Sequence, residues 1–334
     1  MIDFREEKKL VLEYFSSIDE AKSEDLLDSI SKYTSDNFKM KCTHPFNELN
    51  GANQVANNLW VPIKNSFKPI QRRMDIFYAG INSLDNNEGK WVTSMGHFMG
   101  VFNKPFLGIR PNHKSILLRY VEFYKVENNK ITEGAIFLDI INFMQQLDLS
   151  IIPESTGLIC VTPGPMNHKG LKLDISNPDE SQKTLSLIHR MRDRLVKGSK
   201  MQSYKEELDL DWHNDMIWWG PGGIGASYTI DGYIKGHTKP FQDGLEFVKF
   251  NGHILSSAED DLGGWFGWPN LIMKPKGGYL GLTNSSEIES EMRVVDLYRR
   301  DGDKIAENWI FIDHLHFLKK LGVDLLQKAK DLNQ

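Results

Sequence analysis

A chain of 334 residues with a net charge of −5 shows no basic stripe of the kind nucleic-acid binding needs. No apolar run in it approaches the roughly 18 residues of a membrane span. Its two cysteines, Cys42 and Cys160, have no metal-ligand spacing, and the opening residues do not read as a signal peptide, so a reduced cytoplasmic setting is expected.

Leu10, Val11, Tyr14, Phe15 and Ile18 fall at helical spacing, and Leu26, Leu27 and Ile30 stripe a second helix over 24–33. From Phe38 the period changes to two, with Phe38, Met40, Cys42 and His44 alternating with Lys39, Lys41 and Thr43, which predicts a half-buried strand. Asn50-Gly51 is a turn, and a short helix over 55–63 should stop at Pro62. Strands follow over 73–80, 90–99, 116–126 and 131–140, the last two joined as a hairpin by Glu127-Asn-Asn-Lys130.

The stretch that opens Arg119-Tyr-Val-Glu-Phe-Tyr124 and ends at Asp139 returns 174 positions later, opening Arg293-Val-Val-Asp-Leu-Tyr298 and ending at Asp313. Over the 31 pairs from Arg119/Arg293 to Leu149/Val323, eleven are identical. An internal repeat decides architecture, and this one implies one domain used twice, over 1–150 and 178–334, with the proline-marked 151–177 as linker. The second copy should carry a helix over 179–196, striped by Leu185, Ile188, Met191 and Leu195 and capped by Asp179 or Ser181, and a short helix over 201–210. Strands are expected over 210–219, 245–250, 265–273, 291–300 and 305–315, with a turn at 220–225. Helices first and antiparallel strands after indicate an α+β fold with helices on one face of the sheet.

In the first copy Asn103-Lys-Pro-Phe-Leu-Gly-Ile-Arg-Pro-Asn-His-Lys114 precedes an alternating strand, then Glu127-Asn-Asn-Lys-Ile-Thr-Glu133 and Asp139. The second copy has Asp301-Gly-Asp-Lys-Ile-Ala-Glu-Asn-Trp-Ile-Phe-Ile-Asp313 and then Phe317-Leu-Lys-Lys-Leu-Gly322. This order of short signals resembles the SnoaL-like polyketide cyclases, also called predicted ester cyclases. The second copy departs from it at Thr283-Asn-Ser285, where a proline is expected, and at Gly264-Trp-Phe-Gly267, where the first copy has His97 in Gly96-His-Phe-Met-Gly100.

The resemblance implies two cone-shaped nuclear transport factor 2-like domains, each with N-terminal helices on a curved antiparallel sheet around an apolar pocket. It also implies general acid/base proton transfer on a hydrophobic carbonyl compound without metal or cofactor, as in aldol ring closure, isomerisation or dehydration. Asp313 and Asp139 stand at the family's acid/base position. A buried carboxylate is suited to that work because burial raises its pKa, yet an aspartate at a strand-to-helix junction equally serves as an N-cap. Single-copy members dimerise through their sheets, so the tandem is expected to be a pseudo-dimer within one chain, with further oligomerisation possible.

His213, Asp215 and His97 are further catalytic candidates, as orienting or polarising groups. His44, Trp219, Trp265, Trp268, Trp309 and Phe137 are candidates to contact the ligand, against the alternative that such rings fill the core. His314 and His316 have no third metal ligand at useful spacing. The other reading from the residues is a non-catalytic module with two apolar small-molecule pockets; neither reading calls for nucleic acid or membrane as partner.

Overall fold

A computed structural model describes residues 3–86, 88–153, 155–197, 203–283 and 285–333. The chain forms two compact units. The N-terminal unit comprises Asp3–Ile151, Met166–Ile175 and residues 324–333, and the C-terminal unit comprises Ile152–Pro165 and Ser176–Val323.

In the N-terminal unit α1 (Arg5–Glu20) buries Leu10, Val11, Tyr14, Phe15 and Ile18, the stripe its spacing predicts. It is followed by α2 (Leu26–Ser31), β1 (Thr34–Cys42), β2 (Asn47–Asn50), α3 (Gly51–Val55) and α4 (Val61–Ser66). Then come β3 (Phe67–Ile81), β4 (Lys90–Phe102), β5 (Ser115–Glu127), β6 (Lys130–Leu138) and α5 (Ile140–Gln145). The sheet order is β2-β1-β6-β5-β4-β3; β1 and β6 run parallel and the other neighbours antiparallel.

Pro62 does not end the helix as expected. A π turn at Ala56–Trp60 precedes it, and Pro62 then sits in the first turn of α4, where a missing N–H costs little.

The C-terminal unit has α6 (Pro178–Lys197), α7 (Tyr204–Asp209), β7 (Trp212–Trp219), β8 (Ser227–Tyr228), α8 (Ile230–Tyr233) and α9 (Lys239–Gly244). Strands β9 (Leu245–Phe250), β10 (Leu255–Glu259), β11 (Leu262–Phe266), β12 (Leu271–Pro275), β13 (Ser290–Met292), β14 (Val294–Asp301) and β15 (Lys304–Ile312) lead to α10 (His314–Lys320). Its larger sheet has the order β10-β11-β14-β15-β7-β8, with β15 and β7 parallel. From the opposite edge this is the N-terminal order, element for element.

The expected strand over 265–273 is broken into β11 and β12, so that β9, β12 and β13 form a separate three-stranded sheet. Asn270 bridges the break. Its side-chain oxygen accepts from Val294 N at 2.7 Å and its amide donates to Val294 O at 3.1 Å, replacing ladder bonds with side-chain ones. Of the expected helix over 201–210, Met201 and Gln202 lie outside the described residues. The helix α6 is capped not by Asp179 or Ser181 but by Asn177, whose side chain accepts from Asp179 N at 3.0 Å.

The expected linker is divided between the units. Residues 152–165 belong to the C-terminal one, where Leu158 and Ala226 exchange two backbone bonds of 2.8 Å. Residues 166–175 belong to the N-terminal one, where Phe77 N donates to Gly170 O at 2.8 Å. After α10 the chain returns to the N-terminal unit as α11 (Leu325–Leu332), whose Lys328 donates to Ile151 O at 2.7 Å.

Candidate functional site

Successive residues of a strand face opposite sides of the sheet. In the C-terminal unit Val294, Asp296 and Tyr298 of β14 and Asn308, Ile310 and Ile312 of β15 share one side, and they floor a cavity of about 520 Å³. Trp212 and Trp218 of β7 form one wall with Tyr233, His237 and Phe241; Phe250, His253 and Trp265 form another. The rings are ordered in layers. His237 stacks on Trp218 at 4.2 Å and 20°, and His253 on Trp265 at 4.8 Å and 18°.

Asp296 is the acidic side chain of this lining. Burial pushes its carboxyl up to about 6, against hydrogen bonds from Asn308, Tyr298 and Trp265 that pull it down. The Asn308 amide donates to it at 3.1 Å. Among the described residues no Lys or Arg forms an ion pair with Asp296. His237 and His253 are pushed down to about 3, chiefly by burial, with His314 acting further on the first and Arg192 on the second. Both imidazoles are therefore neutral near pH 7. The site combines one carboxyl that titrates near neutral pH with neutral imidazoles in a largely apolar space, a setting in which a carboxyl can take and return a proton.

The two aspartates at the family position lie elsewhere. Asp313 caps α10, accepting from His316 N at 3.2 Å, and is paired with Arg293 at 3.3 Å. Asp139 caps α5, accepting from Asn142 N at 3.0 Å, with Arg119 at 3.6 Å. Both are buried, and neither lines the cavity.

Of the other candidates Trp265 lines the cavity. His213 is half-exposed and bonded to Asp301 O at 2.9 Å, and Asp215 is exposed; β7 turns Trp212, Met216 and Trp218 inward instead. Trp268 lies under the Arg293 guanidinium at 3.8 Å. Trp309 donates to Pro163 O at 2.9 Å, from the sheet face opposite Asn308. Trp219 is half-buried outside the cavity lining.

In the N-terminal unit Phe137 pairs with Val121, on the face opposite Glu122. His97 is bonded to Asp75 at 3.1 Å. His44 lies in the turn after β1, which ends at Cys42.

The N-terminal counterpart of the cavity floor is already filled. Glu122 lies 174 positions before Asp296, and Tyr124 the same distance before Tyr298. Glu122 is fully buried and paired with Arg72, while Tyr124 donates to it at 3.2 Å. The Arg72 guanidinium lies 4.0 Å from the Phe15 ring, 4.8 Å from Phe98 and 5.4 Å from both Trp60 and Tyr120. Burial alone would lower Arg72, but Glu122, Asp19 and the nearby tyrosines hold it well above its ordinary value.

The ladders identify what replaces this arginine. Arg72 pairs with Phe98 and Phe98 with Leu118; Phe250 pairs with Leu271 and Leu271 with Met292, which is Leu118 advanced by the repeat. Phe250 therefore occupies the Arg72 position. Sequence reasoning passed over Glu122 and Asp296, although an acid at the same inward position of an apolar strand in both copies was the signal that could have found them.

No curated protein matches the chain. Among solved structures it is similar to AclR from Streptomyces galilaeus, at 18% identity and TM-score 0.35, over 44% of this chain and 83% of that one. It is also similar to an NTF2-like protein from Burkholderia xenovorans LB400 at 15% identity and TM-score 0.34, over 42% of this chain and 96% of that one. A third is an NTF2-like protein from Burkholderia thailandensis E264 at 13% identity and TM-score 0.31, over 42% and 94%. Residues 85–147, from the turn before β4 to the end of α5, match the family model of the SnoaL-like polyketide cyclases, and the resemblance carried by the chain's motifs is borne out over that segment.

Proposed function

We propose that the C-terminal unit carries a small-molecule site at which Asp296 transfers protons to and from a hydrophobic carbonyl compound, without a cofactor. The observation that carries this reading is a carboxyl raised to about 6 in a cavity of about 520 Å³, a size suited to a small ligand. The Tyr298 and Asn308 side chains beside it are placed to orient the carboxyl. Asp139 and Asp313 serve, on this reading, as helix caps held by Arg119 and Arg293.

The 174-residue offset and the matching strand orders support a duplicated nuclear transport factor 2-like domain whose N-terminal copy has closed its site with Arg72. Two copies in one chain make a monomer the expected state on light scattering. The two cysteines, Cys42 and Cys160, without metal-ligand spacing, fit a cytoplasmic location.

The test follows α-hydrogen exchange of 2-tetralone in deuterated water by NMR. The parent should catalyse exchange, Asp296→Asn should lower the rate by about 10²-fold or more, and Asp313→Asn should retain it. Loss with Asp313→Asn alone would return the acid/base role to the family position. Binding without exchange would favour the non-catalytic module.

A further inference from the structure

Two versions of one site stand side by side in this sequence, and one of them is occupied. In the N-terminal unit an acid on β5, Glu122, and the rings of Phe15, Trp60, Phe98 and Tyr120 enclose a guanidinium supplied by Arg72. Aromatic faces attract cations through their quadrupoles, most strongly where water is excluded, and the acid balances the charge.

In the C-terminal unit the acid is kept and the internal cation is gone, while a different set of rings lines the site, Val294 standing at the Tyr120 position and Leu271 at that of Phe98. Asp296 stands at the Glu122 position, Trp212, Trp218, Tyr233 and Trp265 surround the cavity, and Phe250 stands where the arginine would enter. Arg192 also lines the cavity, but its guanidinium is bonded to Asp193 at 2.7 and 3.0 Å. The two lining histidines are neutral. The cavity thus presents a negative charge among electron-rich rings, without a described cation paired to it.

We infer that the C-terminal cavity takes an organic cation, an aryl-bearing ammonium or amidinium whose charge sits over the tryptophan faces and against Asp296. This deepens the proposed function by giving the charge of the ligand, and it rests on the cavity being a ligand site.

The experiment titrates three probes of equal ring size into the full chain by calorimetry at pH 7.5: 2-naphthylmethylammonium, the neutral 2-naphthalenemethanol and the anionic 2-naphthoate. The ammonium should bind at least tenfold more tightly than the alcohol, and 2-naphthoate more weakly than either. Asp296→Asn should erase the ammonium's advantage. Phe250→Arg, which restores the N-terminal arrangement, should abolish ammonium binding in a protein whose circular dichroism matches the parent.

Equal binding of ammonium and alcohol, survival of the preference in Asp296→Asn, or failure of the parent to bind the ammonium would each overturn the inference. Exchange of 2-tetralone that persists in any of those cases leaves the acid/base reading standing, so the two ideas fail separately.

Discussion

At the scale of single residues Asp296 carries a signature in stability. Its folded carboxyl sits near 6 against an ordinary value of 3.8, so between about pH 4 and 6 the native state binds the proton more tightly than the unfolded chain. Stability contributed by that proton is present at low pH and is lost as pH rises through the window, by about 2–3 kcal/mol for one fully buried group. Asp296→Asn should therefore melt higher than the parent at pH 7.5, with the gap shrinking toward pH 4 in a series of melting curves. Substitution of Asp313 should lower stability instead, through its cap and its ion pair. Asp313→Ala loses both cap and ion pair, whereas Asp313→Asn keeps a good cap, so urea unfolding should place the alanine variant about 1 kcal/mol below the asparagine one.

The places of Asp139 and Asp313 in the repeat were legible from the sequence, although the strands expected over 131–140 and 305–315 end earlier, at Leu138 and Ile312. The work of these aspartates as caps was not legible, because one residue type suits both a cap and a proton carrier. Asp296 was hidden differently: its strand reads as an apolar core, and only folding shows that a void lies beneath one face.

At the scale of elements, alternation gave most strands, but it could not show where one strand becomes two. The break between β11 and β12 depends on Asn270 supplying bonds to Val294 from its side chain, a contact between residues far apart in sequence. The stop expected at Pro62 failed for a local reason, the π turn in front of it. That device recurs in the second copy, where a π turn at Ile234–Thr238 precedes Pro240 in α9. The last helix invites a direct test. Leu325 and Leu326 of α11 are buried, and two such side chains are worth about 3–6 kcal/mol. Truncation after Val323 should lower the stability of the N-terminal unit by that order, with faster hydrogen exchange around Arg110, whose backbone N–H is bonded to Asn333.

At the scale of the whole molecule, the inward acid of the N-terminal unit is sealed by Arg72 and that of the C-terminal unit faces a cavity. The sealing pair is also a structural commitment, because removing one partner of a buried ion pair leaves the other uncompensated. Arg72→Ala should cost about 3–5 kcal/mol in urea unfolding of the N-terminal unit, while Phe250, at the same ladder position, should tolerate leucine at about 1 kcal/mol. The 174-residue repeat was visible in the sequence, and with it the correspondence of Glu122 and Asp296. The difference between the units was not visible, because it turns on Arg72 of β3 and Phe250 of β9, which lie outside the stretch over which the repeat aligns.

The return of α11 to the N-terminal unit bears on synthesis. A domain made first on the ribosome is ordinarily free to fold first. Here the N-terminal unit lacks residues 166–175 until the first piece of the C-terminal unit has been made, and residues 324–333 until that unit has been translated in full. Its closing helix arrives after the C-terminal unit is complete, and the nascent chain must hold an N-terminal unit without α11 in the meantime.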